Sequence, residues 1–115
     1  MIRTNILGTE YEFELVDLNS LVLNKNDGVC YTYEKKICVR CPEYLFTRDD
    51  SENVKANRLM EVIIHELIHA YSRESGTCYD DDESLVEWMA FMIPKITASY
   101  EEIRAQLERQ DQDNE

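Results

Sequence analysis

The chain is 115 residues long, 43% hydrophobic and 31% charged, with 24 acidic against 12 basic residues and a formal net charge of −12. That length suits one domain with its own core, and this share of apolar residues excludes a disordered acidic tail. The charge argues against nucleic acid or an anionic membrane as the main partner, since both draw affinity from clustered Lys and Arg, and it steers toward basic or neutral peptide.

Residues 1–8 hold no long apolar run after Arg3, so no secretory signal is expected. No apolar stretch is long enough to span a bilayer. A cytoplasmic location is the resulting expectation, with Cys30, Cys38, Cys41 and Cys78 as free thiols or metal ligands rather than disulfides.

Taken in chain order, strands are predicted over about residues 6–41. Tyr11-Glu12-Phe13-Glu14-Leu15-Val16 alternates apolar and acidic residues, the period of a half-buried strand. Val29-Cys30-Tyr31-Thr32-Tyr33 and Ile37-Cys38-Val39 are rich in β-branched and aromatic residues, and the polar Glu34-Lys35-Lys36 between them predicts a hairpin near Lys35. An antiparallel meander follows, ending near Cys41-Pro42 because proline cannot donate to a ladder.

A helix is predicted over about 52–71, capped by Asp50 or Ser51, with Glu52 suited to the positive end of its dipole. Its apolar residues cover much of the circumference, which predicts a helix in the middle of the domain. Gly76 lies where such a helix exits. Asp80, Asp81 and Asp82 offer the N-cap of a second helix over about 82–93, which Pro94 bends or ends. Ser99-Tyr100-Glu101-Glu102 reads as a capping box for a C-terminal helix over about 97–109. Strands first, then helices, reads as α+β in a single domain.

The predicted first helix contains His65-Glu66-Leu67-Ile68-His69. Histidines four apart share a helix face, so two imidazoles can converge on one cation. Glu66 can then act as general base toward a water in an open coordination position. These are the only two histidines in the chain, so a three-histidine site is excluded and a third ligand must be a carboxylate or a cysteine. Glu83 and Glu87, four apart on the next helix, are the leading candidates, one to bind metal and the other to accept a hydrogen bond from a ligand histidine. Asp80, Asp81, Asp82 and Cys78 are further alternatives.

This order of strands, H-E-x-x-H helix, short loop and acidic second helix resembles the ImmA/IrrE-type minimal metallopeptidases, over about residues 7–96. The family's second-helix pattern, E-x-x-A-N-x-F-A, is similar to Glu83-Ser84-Leu85-Val86-Glu87-Trp88-Met89-Ala90 at Glu83 and Ala90, loosely at Val86 and Met89, and departs from it at Glu87. The resemblance implies a small zincin-like fold, a Zn²⁺ site at His65, His69 and Glu83, Glu66 as catalytic base, and hydrolysis of a protein or peptide substrate such as a regulatory protein. It also implies that substrate adds as a strand beside the metal, with residues 37–41 as the candidate edge.

Other features have blander readings. Cys38-Val39-Arg40-Cys41 is a lone C-x-x-C, more consistent with buried or idle thiols than with a four-thiolate zinc site or redox chemistry. Tyr44, Tyr71 and Tyr79 are candidates for steadying an oxyanion, although packing is the commoner use of a tyrosine. Trp88 reads as core. Against the peptidase stands an acidic, zinc-containing interaction module without turnover, and more weakly an acidic mimic of nucleic acid.

Overall fold

The computed structural model describes residues 1–17, 23, 26–41 and 51–113. Four strands, β1 (Ile2–Ile6), β2 (Thr9–Val16), β3 (Gly28–Tyr31) and β4 (Lys36–Arg40), precede two helices, α1 (Glu52–Ser75) and α2 (Glu83–Asp113), with a 3-10 turn at Tyr79–Asp81 between them. The architecture is α+β. Pro42 and Tyr44 and the Asp50 capping candidate lie outside the described residues.

The sheet is mixed, in the order β1-β2-β4-β3. β1 and β2 form an antiparallel hairpin whose two-residue turn puts Leu7 and Gly8 at φ 49° and 93°, a twist that suits a tight hairpin. β3 and β4 form a second antiparallel hairpin, with Lys35 at φ 57° in the predicted turn. β2 and β4, however, run parallel, Phe13 opposite Ile37 and Leu15 opposite Val39. The expected antiparallel meander is corrected here. β4 reads Ile-Cys-Val without alternation, and Ile37, Cys38, Val39 and Arg40 are all buried, as befits a central strand covered on both faces.

One face of the sheet carries the core. Ile6, Tyr11, Ile37 and Val39 meet Ala70 of α1, and Phe13, Leu59, Val62, Ile63 and Leu67 close around them. Tyr11 and Phe13 point in while Glu12 and Glu14 point away, the period of two read from the sequence. α1 is not buried all round, as its composition suggested. Only Glu66, Ala70 and Ser72 are buried, whereas Val54, Met60 and Tyr71 are exposed. One helix face meets the sheet and α2, and the rest faces solvent.

The ends of α1 follow local rules. Ser51 Oγ accepts from the Val54 N–H at 3.3 Å. Gly76 adopts the left-handed conformation at φ 73°, and the Gly76 and Thr77 N–H groups close onto Arg73 and Ser72 carbonyls. Tyr11 Oη and Lys35 Nζ both donate to Glu74 Oε1, at 3.4 and 2.7 Å, tying β2 and the second hairpin to the last turn of α1.

α2 opens with Asp82, whose Oδ1 accepts from the Leu85 N–H at 3.2 Å. The two predicted C-terminal helices, 82–93 and 97–109, are one helix of 31 residues with Pro94 inside it. Proline removes one helical donor, but the residues after it contain no glycine and many strong helix formers. Arg104 adds ion pairs to Glu101 and Glu108, three residues before and four after. The Ser99 capping box is therefore not used. Val86 and Ala90 are the buried residues through which α2 docks. No helix among the described residues is long and apolar enough to cross a membrane.

Candidate metal centre

His65 and His69 project from the same face of α1, their ring centroids 5.2 Å apart. Glu83, the first residue of α2, reaches both: Oε1 is 2.6 Å from His65 Nε2 and Oε2 is 3.6 Å from His69 Nε2. One nitrogen from each histidine and one Glu83 oxygen lie within 4.8 Å of one another. Among the described residues, this is the only group of three or more His, Cys, Asp or Glu donors that can meet one ion.

The donor set can hold a metal ion, and its ligand types are ones that zinc takes. Bonds of about 2.0–2.2 Å at tetrahedral angles separate ligand atoms by roughly 3.4 Å, and the contacts here bracket that value. Two neutral imidazoles and one carboxylate are also the ligand types of a hydrolytic site that keeps a position for water.

His69 is held from behind. Its Nδ1 lies 3.0 Å from Asp80 Oδ2, and Asp80 Oδ1 accepts from Ser72 Oγ at 2.7 Å. Ser72 is buried, and its hydroxyl also contacts Thr77 Oγ1 at 3.1 Å. The carboxylate can only accept, so Nδ1 carries a proton and Nε2 is the nitrogen that faces Glu83. Asp80 is partly desolvated, but its hydrogen bonds from His69 and Ser72 prevail and hold its carboxyl below the ordinary aspartate range. Asp80 thus fills the orienting position predicted for Glu87. The 3-10 turn brings Asp80 to the Nδ1 side, and Glu87 lines the same cavity one helical turn beyond Glu83, outside the three-donor group.

Glu66 is 7% exposed, turned from the histidine face toward β3. The sheet makes room for it through Gly28, where a Cβ would stand 3.0 Å from Glu66 Cγ and 3.1 Å from Glu66 Oε2. Burial pushes the Glu66 carboxyl upward, the two imidazoles pull it back, and Glu83 adds to the rise, leaving it above the ordinary glutamate range.

These residues line an open cavity of about 670 Å³. Its other wall is β3, with Gly28, Val29 and Cys30, and its polar lining includes Asn26, Thr32 and Arg58. Among the described residues β3 is a sheet edge, whereas β4 is interior. The sheet edge expected at residues 37–41 is corrected here, because β4 lies between β2 and β3.

The remaining candidates fall elsewhere. Tyr71 and Tyr79 are exposed and do not line the cavity. Arg58 does line it, two turns before His65, and its Nη2 donates to Asp27 Oδ2 at 3.2 Å. The spacing 58, 62, 65 along one helix face was the available signal for this arginine. None of the four cysteines is in a disulfide, and none joins the three-donor group. Trp88 is exposed rather than core.

Comparison of the chain with protein-family models, with curated proteins and with solved structures gives no match in any of the three.

Proposed function

We propose that the chain is a zinc-dependent peptidase with a small zincin-like fold, of the ImmA/IrrE kind that its sequence resembles. The observation carrying this reading is the convergence of His65, His69 and Glu83 within 4.8 Å, in a cavity that the buried Glu66 also lines. His65, His69 and Glu83 would hold a zinc ion, which would supply Lewis acidity for a hydrolytic reaction at neutral pH.

The chain's own residues account for the rest. Glu66 takes a proton from the attacking water onto a carboxylate oxygen and passes it to the leaving amine nitrogen. Its raised affinity for protons brings it nearer the working pH than a solvated glutamate. Asp80 keeps His69 in the tautomer that presents Nε2. Among the described residues β3 is the edge strand beside the cavity, a position that suits strand addition by an extended peptide, so the substrate is a peptide or an accessible protein segment. Arg58 is the cationic donor of the cavity lining and is the candidate to steady negative charge at its far end.

The test is Glu66→Gln. The variant should retain zinc and lose hydrolysis of an unstructured peptide library by about 10²-fold or more. Unchanged hydrolysis by the pure variant rules the mechanism out.

A further inference from the structure

Among the described residues, the second half of α2 buries none of its side chains. Every residue from 95 to 112 is exposed, so this part of the helix stands clear of the domain body. The radius of gyration is 17.0 Å, against about 13 Å for a compact chain of this length, and the long axis measures 59 Å. An isolated helical stretch of this length is marginal in water unless an apolar face is covered.

The arm has such a face. Ile93, Ile96, Tyr100, Ile103 and Leu107 are spaced alternately three and four residues apart, the period of a two-helix seam. Their exposures are 37%, 58%, 59%, 58% and 56%. The positions flanking this seam are Thr97, Ser99, Arg104, Gln106 and Asp111, while Glu101, Glu102, Glu108 and Arg109 lie on the outer face. No like charges are forced together across a seam between two identical arms.

We infer that the arm pairs with the arm of a second copy of this chain, antiparallel, in a two-fold symmetric dimer. Antiparallel alignment sets Tyr100 against Ile103, Ile96 against Leu107 and Ile93 against Gln110, so one register satisfies the whole stripe in both copies. The same register sets Glu108 of each arm level with Lys95 of the other, and it keeps the two domain bodies at opposite ends. The area is adequate: the five side chains expose on the order of 500 Å² per copy, and with the flanks the pair reaches roughly the 1,200 Å² at which specific interfaces begin. A patch of about 500 Å² is at the upper end of what a typical monomer exposes, and patches at that end are often functional.

Sedimentation of the full chain tests this. A dimer at about 10 μM is expected, Ile103→Glu with Leu107→Glu should weaken association at least tenfold, and Ala105→Glu on the opposite face should leave it unchanged. Small-angle scattering of the dimer should show two separated lobes. A monomer at that concentration overturns the proposal, including one that captures a foreign helix instead. So does a dimer untouched by the double substitution, and a single compact lobe overturns the antiparallel arrangement. None of these readouts depends on zinc or on catalysis.

Discussion

His69 Nδ1 and Asp80 Oδ2 stand 3.0 Å apart, and this contact decides which nitrogen of His69 is free to bind a cation. Asp80 is itself held by Ser72 Oγ, so the tautomer of a ligand on α1 is set by the turn that follows the helix. Asp80→Ala should therefore weaken zinc binding by about 10–100-fold, read by competition with a coloured chelator. Affinity equal to the parent's would show that the contact does not orient the ligand.

Gly28 and Glu66 make a second tight pair. A methyl group at Gly28 meets Glu66 Cγ at 3.0 Å and Val62 Cγ1 at 3.1 Å, so the glutamate must move by a few tenths of an ångström. Gly28→Ala should cut peptide hydrolysis by about tenfold or more while zinc content stays at the parent level. Parallel loss of zinc and activity would instead place the effect in the fold.

The parts legible in the sequence were those governed by neighbours along the chain. Ser51 caps α1, Gly76 ends it, Lys35 turns the hairpin, and His65 and His69 share a face because helix geometry demands it. Contacts between segments far apart in sequence were not legible. Nothing local in β2 or β4 announces that they run parallel. Pro94 looked like a stop because proline usually is one, yet the helix-forming residues after it carry α2 through. Asp80 looked like a cap, and the return of the chain beside α1 makes it the partner of His69. Glu74 carried no motif at all, although it joins Tyr11 to Lys35.

That last cluster has a pH signature. The Lys35 ammonium donates to Glu74 and holds its carboxyl below the ordinary glutamate range. A depressed carboxyl contributes stability above its unfolded pKa, about 4.3, and loses it as the pH falls through the lower folded value. Stability should drop on acidification, and Glu74→Gln should flatten that drop, measured as urea midpoints at neutral and acid pH. An identical acid slope in the variant would remove Glu74 from the account. On the alkaline side the Tyr11 hydroxyl, buried and beside Glu74, is pushed up to about 12.

The cysteines should separate by reactivity. Burial first, then the carboxylates of Glu66 and Asp80, push the Cys30 thiol up to about 12, whereas Cys78 is exposed. The thiolate is the reactive form, so at mildly alkaline pH a haloacetamide should label Cys78 well before Cys30 in the folded protein. Mass spectrometry of the digested chain reads the order. Equal labelling rates would mean that Cys30 is not enclosed between β3 and the cavity.

The proposed metal site is made by two imidazoles and one carboxylate. X-ray absorption of the zinc-loaded chain tests it most directly. The account predicts one zinc per chain, about two nitrogen neighbours from imidazole with the remaining neighbours oxygen, all at about 2.0–2.2 Å, and loss of the bound metal on Glu83→Ala. A sulfur neighbour at about 2.3 Å, or zinc that never reaches stoichiometry, would contradict it.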